Sequence, residues 1–128
     1  MRALQLIGHR QIRVQDVPEP EIAPHEVLVR VAGAGLCHSD LHVLHAEGWP
    51  VLPMTLGHET SGYVEHVGGD VEGVAPGDPV LVYLVWACGT CRQCVQGRDN
   101  VCSTTGGRLG TPPAPGLGPD GGMAEYIK

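Results

Sequence analysis

Four cysteines between positions 88 and 102 constrain this sequence more than any other feature. Cys88, Cys91 and Cys94 are separated by two residues each, and Cys102 follows after seven more. A structural zinc site takes four thiolates at about 2.3 Å from one ion, and two-residue gaps let a tight loop direct successive sulfur atoms at a common centre. The spacing therefore predicts a closed zinc-binding lobe at 88–102, with a short helix over 92–97.

Three other sites use cysteines at short spacing. A thioredoxin-like redox pair needs one C-x-x-C, whereas two overlap here. Disulfides accompany an oxidising compartment, and residues 1–5 lack a signal-peptide pattern. An iron-sulfur cluster also binds four thiolates, but the ferredoxin run has a proline after its last cysteine, where this chain has Ser103. The spacing favours zinc, and the chain is expected in a reducing, cytoplasmic setting.

Length and composition indicate one mainly β domain over residues 1–128. Gly 19 and Pro 11 among 128 residues favour short strands and turns over long helices. The formal charge of −6 argues against a nucleic-acid partner. No apolar run reaches about 18 residues, so no membrane-spanning helix is expected.

Alternating apolar residues and turn signals divide the chain into short elements. A helix is predicted to end near His45, and a loop rich in glycine and proline occupies 103–122. The loop is expected to be either disordered or an ordered cover over a site. The predicted strands, of which the first two form a hairpin, are 1–7, 11–17, 26–32, 60–67, 79–85 and a last one beginning at 123.

A second set of metal-ligand residue types lies outside the lobe. Cys37 precedes Asp40, and His58 and Glu59 follow downstream. A catalytic zinc takes three protein ligands and keeps one open position, and a carboxylate commonly orients the ligating imidazole. A lone cysteine is more often a small core residue, and a lone histidine more often a surface residue. These residues alone leave both interpretations open.

His58 and Glu59 belong to the run Gly57-His58-Glu59-Thr60-Ser61-Gly62, which is followed by Gly68 and Val71. This pattern resembles the signature of the zinc alcohol dehydrogenases of the medium-chain dehydrogenase/reductase superfamily. The resemblance extends over essentially the whole chain through the four-cysteine lobe and through the runs at 35–40, 77–80 and 121–126. It implies a GroES-like fold, a partly open β-barrel with short helices and a zinc-binding lobe.

The resemblance also implies roles for individual residues. Cys37 and His58 match ligands of the catalytic zinc, and Glu59 matches a carboxylate that approaches the same ion. Asp40 matches the partner of the ligating histidine. The remaining matches are a proton relay at Ser39 and His42, a cofactor-phosphate contact at His38, and structural zinc ligands at Cys88, Cys91, Cys94 and Cys102.

The activity implied is hydride transfer between NAD or NADP and a primary or secondary alcohol, giving an aldehyde or ketone. The family's third catalytic zinc ligand and its Rossmann domain follow the last motif, and neither is found in these 128 residues. The expectation is a catalytic domain that lacks its nucleotide-binding domain and is inactive alone, from a protein that is a homo-oligomer at full length.

Two alternatives from other classes remain. A GroES-like domain also serves as an interaction module stabilised by zinc, although such a module has no use for the open site suggested by Cys37, Ser39, His58 and Glu59. Zinc-free quinone reductases share the superfamily but generally lack the four-cysteine lobe.

Overall fold

Short strands in two sheets make up most of the regular secondary structure in this computed structural model, which describes residues 1–106 and 112–128. Within these described ranges, helix α1 (His38–His45) and the 3₁₀ turns Cys94–Gln96 and Asp99–Val101 accompany the strands. The predicted mainly β, partly open architecture is confirmed, since the sheets do not close into a complete barrel. The strands are β1 (Arg2–Gly8), β2 (Gln11–Asp16), β3 (Val27–Gly35), β4 (Met54–Thr55), β5 (Glu59–Val67), β6 (Pro79–Val82) and β7 (Tyr126–Ile127).

The first sheet has the order β2-β1-β4 and carries one side of the core. β1 and β2 form the predicted hairpin, with Leu4 opposite Val14. Helix α1 packs on this sheet, because the buried core cluster joins Leu6 of β1, Val43 of α1 and Met54 of β4 with Leu56. The segment that follows β4 is therefore held against the core immediately before it reaches His58.

The second sheet has the order β6-β5-β3-β7, with all pairs antiparallel. β3 extends to Gly35, beyond the predicted end at residue 32, because it pairs with β5 as far as Glu59. β6 ends at Val82, so the predicted strand to residue 85 is too long. Val82 pairs with Thr60, and β5 begins only one residue earlier, which leaves the residues after Val82 without a strand partner.

The predicted loop at 103–122 is ordered where the structure describes it, and its residues 107–111 lie outside the described residues. Pro115 and Gly121 are buried, and the Gly121 amide donates to Thr55 O at 2.9 Å. The loop therefore joins the core. In the described chain, no helix has the length and apolar character needed to cross a bilayer.

Candidate metal centres

The junction between β3 and α1 sets the position of Cys37. Cys37 is the N-cap residue of α1, and its backbone amide donates to Asp40 Oδ2 at 2.9 Å. Asp40 lies in the first helical turn, where a carboxylate also interacts favourably with the helix dipole. Asp40 is only 2% exposed, so this contact fixes the start of the helix beneath the cysteine.

His58 stands at the entry to β5, and the loop at 116–123 holds the backbone before it. Gly57 has φ +98°, a left-handed conformation that favours glycine. A Cβ at Gly121 would collide with the carbonyl oxygen of Gly57, so the two chain segments pass closer than larger residues allow. Three backbone hydrogen bonds join these segments: Gly121 N to Thr55 O, Gly122 N to Gly57 O and Met123 N to Leu56 O, at 2.8–2.9 Å.

These two supports bring Cys37, His58 and Glu59 together. One sulfur, one ring nitrogen and one carboxylate oxygen from them lie within 4.8 Å of one another. His58 is buried, Cys37 is half-buried and Glu59 is exposed, so the group faces solvent on one side. Sulfur, imidazole and carboxylate donors with one open side suit a catalytic zinc ion.

Asp40 also faces the ring of His58. Asp40 Oδ1 and His58 Nδ1 are 3.6 Å apart, and both atoms are buried without a hydrogen-bond partner in the described chain. This distance is longer than an ordinary hydrogen bond of about 2.9 Å. Because Nδ1 faces the carboxylate, Nε2 is the ring nitrogen available to a metal ion, which is the arrangement common in histidine-ligated sites.

The predicted relay residues lie on α1 at increasing distance along the chain from Cys37. Ser39 Oγ is 3.6 Å from Cys37 Sγ. The rings of His38 and His42 are exposed and contact each other, with centroids 4.6 Å apart. Neither ring belongs to the group formed by Cys37, His58 and Glu59.

An apolar wall beside His58 and Glu59 was not found from the sequence. A cavity of about 690 Å³ runs from these residues along β3 and past the end of β6. Leu81 and Tyr83 line it and are 84% and 58% exposed. The alternation of β6 indicated a strand but not which of its faces adjoins the site, because that depends on the pairing with β5.

The four cysteines of the lobe also converge. Their sulfur atoms all lie within 4.8 Å of one another, and Cys91 Sγ is 3.5 Å from Cys94 Sγ and 3.9 Å from Cys102 Sγ. A tetrahedron with zinc-sulfur bonds of about 2.3 Å has edges of about 3.8 Å. The sulfur positions therefore fit one zinc ion, and the predicted helix over 92–97 is a single 3₁₀ turn, Cys94–Gln96.

Backbone amides point at the sulfur atoms as they would at thiolates. The Cys91 amide donates to Cys88 Sγ at 3.3 Å, and the Cys88 and Thr105 amides each donate to Cys102 Sγ at 3.4 Å. A charged acceptor strengthens such bonds. The donor set is thus arranged for anionic sulfur.

The thiol pKa values reflect the same contacts. Hydrogen bonds from the Cys94 amide and from Ser103 lower the pKa of Cys91 to about 5, from an ordinary 9.0. The hydroxyl and amide of Thr105 lower the pKa of Cys102 to about 6. Burial, followed by the hydrogen bond with Cys91, raises the pKa of Cys94 to about 12. A bound cation would be needed to hold Cys94 as a thiolate beside Cys91 and Cys102.

The family of alcohol dehydrogenase GroES-like domains matches residues 23–128 of the sequence. The chain belongs to this family. The match includes every candidate ligand in both groups and extends to the last strand, β7.

Relatives of this GroES-like domain are dehydrogenases. It is 41% identical over 118 residues to an L-threonine 3-dehydrogenase of Streptomyces avermitilis, covering 89% of this chain and 32% of the relative. Its fold matches a cobalt- and zinc-bound alcohol dehydrogenase of Pyrobaculum aerophilum with a TM-score of 0.86 and 38% identity, covering 99% and 38% of the two chains. An alcohol dehydrogenase of Escherichia coli in complex with NADH matches with a TM-score of 0.82 and 33% identity, covering 99% and 35%. The GroES-like domain thus spans about a third of the length of these proteins.

Proposed function

We propose that this GroES-like domain supplies zinc-binding and proton-transfer residues to a dehydrogenase that interconverts an alcohol and its aldehyde or ketone. The observation that carries the proposal is the meeting of Cys37, His58 and Glu59 within 4.8 Å, with Asp40 buried behind His58. The dehydrogenase names of its relatives support the same reaction class. We expect NAD or NADP to accept the hydride, in line with the NADH-bound neighbour.

Cys37 and His58 would hold the catalytic zinc, and Glu59 lies close enough to bind it in turn. We propose that a third ligand and a nucleotide-binding domain come from polypeptide beyond these 128 residues, since relatives are about three times as long. When bound, zinc supplies Lewis acidity that lowers the pKa of an alcohol hydroxyl. Residues 1–128 would then form one catalytic domain of a protein that assembles as a homo-oligomer.

Ser39 and His42 are proposed to remove the hydroxyl proton. Ser39 Oγ lies beside Cys37 Sγ, so it can accept a proton from a hydroxyl bound at that site and pass its own proton onward. The exposed ring of His42 can receive that proton on one nitrogen and exchange it with water, because imidazole carries both a donor and an acceptor nitrogen. His38, exposed at the start of α1, is proposed to contact a cofactor phosphate.

Asp40 and the cysteine lobe are proposed to act without touching the substrate. Asp40 holds the Cys37 amide and faces His58 Nδ1, which keeps His58 Nε2 directed at the site. The lobe at 88–102 is proposed to bind a structural zinc ion that holds a segment with little apolar core of its own. In this segment, Cys94 and Cys102 are the buried residues.

A cobalt titration of the isolated domain tests the zinc proposal, because thiolate-bound Co²⁺ absorbs in the near ultraviolet. We expect a tight site that Cys91→Ser abolishes and a weaker site that Cys37→Ser and His58→Ala abolish. Ser39→Ala is the matched control, since its hydroxyl is not proposed as a ligand, and it should retain both sites. A weaker site that survives both Cys37→Ser and His58→Ala would contradict the proposed catalytic centre.

A further inference from the structure

Helix α1 presents two histidines on its exposed face, one helical turn apart. His38 and His42 have ring centroids 4.6 Å apart and ring planes inclined at 81°. Residues four apart on a helix are neighbours on one face. Both side chains are exposed, and their rings are in contact with each other.

Both rings retain their nitrogens for a ligand. In the described chain, neither His38 nor His42 makes a hydrogen bond or an ion pair. His45, on the same helix, differs because its Nδ1 lies 2.8 Å from Leu41 O. His58 also differs, since its Nδ1 faces Asp40.

We propose that His38 and His42 chelate a divalent transition-metal ion at a third site, separate from the two cysteine-containing groups. Two histidines at this helical spacing can bind one zinc ion from the same helix face. Imidazole suits Zn²⁺, Cu²⁺ and Ni²⁺, and water completes the coordination at an exposed position. The second ring binds as part of the same molecule, so the pair holds the ion more tightly than either ring alone.

A metal ion bound at this pair should inhibit the dehydrogenase reaction, and this consequence rests on the proposed function. An ion held by both rings occupies the lone pair that His42 needs to receive a proton, and it covers the His38 ring proposed to contact a cofactor phosphate. Metal at the pair therefore opposes both roles. Metal binding at the pair is tested without any activity measurement. A lack of binding would therefore contradict the third metal site without contradicting the proposed function.

The test is a Ni²⁺ titration of the zinc-loaded chain, in which binding is monitored through the NMR signals of the histidine rings. We expect one additional Ni²⁺ per chain, with paramagnetic broadening strongest for His38 and His42. His38→Ala and His42→Ala should each weaken this binding by about tenfold or more. His66→Ala, at another exposed histidine, should leave it unchanged.

Four outcomes would overturn the inference. They are wild-type affinity in both His38→Ala and His42→Ala, an effect of His66→Ala as large as theirs, an equal loss in His45→Ala, or Ni²⁺ binding accompanied by the charge-transfer absorption of thiolate ligands. Because the substituted side chains are exposed, circular dichroism should show unchanged folding and allow the affinities to be compared directly.

Discussion

Asp40 Oδ1 lies 3.6 Å from His58 Nδ1 across a buried gap, while the other oxygen of the same carboxylate binds the Cys37 amide. One side chain thus links the two residues that contribute sulfur and nitrogen to the candidate centre, although they are separated by the whole of α1 and β4. The position of one ligand relative to the other depends on this carboxylate.

Asp40→Asn separates the two contacts. The amide oxygen can still accept from Cys37, but the negative charge facing His58 is lost. We expect the affinity of the Cys37 and His58 site for cobalt to fall by about 10- to 100-fold, the usual cost of losing a ligand's carboxylate partner. Asp40→Ala should also reduce the free energy of unfolding by about 1–3 kcal/mol, because the Cys37 amide loses its acceptor. Equal cobalt affinity in Asp40→Asn and wild type would contradict this account.

Cys91→Ser and Cys37→Ser should affect stability differently. Cys91 belongs to a closed set of four sulfur atoms, so its loss should release the lobe metal and lower the melting temperature by several degrees. Cys37 lies at an open site, and Cys37→Ser should leave the melting temperature nearly unchanged. Thermal scans of zinc-loaded proteins, with and without a chelator, measure both. A larger loss of melting temperature in Cys37→Ser than in Cys91→Ser would contradict the assignment of the lobe as structural and of the Cys37 site as catalytic.

Gly121→Ala should disturb the backbone that carries His58. The added methyl group would meet the carbonyl oxygens of Gly57 and Leu56, and the loop at 116–123 would have to move away. We expect a loss of about 1–3 kcal/mol in the free energy of unfolding, as for other overpacked sites.

Gly118→Ala is the matched control for this substitution, because a Cβ there meets nothing within 4 Å. Urea unfolding of the two variants gives the comparison. Similar stability of both would show that the close approach to Gly57 does not constrain the loop.

The contribution of Glu26 to the free energy of unfolding should be lost in acid. Its pKa lies below the ordinary 4.5, first because the Ala23 amide donates to it and then because Lys128 does. A lowered pKa means that the stabilising contribution is present above pH 4.5 and is lost as the pH falls through the pKa of the folded state.

Glu26→Gln should therefore cost about 1 kcal/mol near pH 7, and this cost should shrink as the pH falls below 4.5, as measured by urea unfolding across this range. The exposed Glu72→Gln is the control and should follow the wild-type curve. A stability difference between Glu26→Gln and wild type that grows in acid would contradict a lowered pKa for Glu26.

Ser39→Ala in the proposed full-length dehydrogenase should lower kcat by about 10²- to 10⁴-fold, because the proposed proton acceptor is removed. Ser39→Thr keeps the hydroxyl and should restore much of the rate. Zinc content should be unchanged in both, which separates proton transfer from metal binding. Equal loss in the alanine and threonine variants would indicate a packing role for Ser39.

The cysteine lobe and the hairpin were predictable because their residues are close in sequence. Cys88, Cys91 and Cys94 lie within seven consecutive residues, and β1 pairs directly with β2. The meeting of Cys37 with His58 was implied only by the family resemblance, since no local pattern relates residues on opposite sides of α1. The end of β6 at Val82 was mispredicted because it depends on where β5 begins.

Residue types and local spacing were enough to predict a mainly β chain and a four-cysteine lobe suited to a metal ion, and the motif around His58 indicated the family through its resemblance. Tertiary packing was needed to show that the loop at 116–123 supports Gly57, that Asp40 lies between Cys37 and His58, and that His38 and His42 share an exposed face. Local spacing acts through the stiffness of a short chain segment. Contacts between distant segments depend instead on which surfaces are buried together and which backbone groups remain to be hydrogen-bonded, and these follow only from the complete fold.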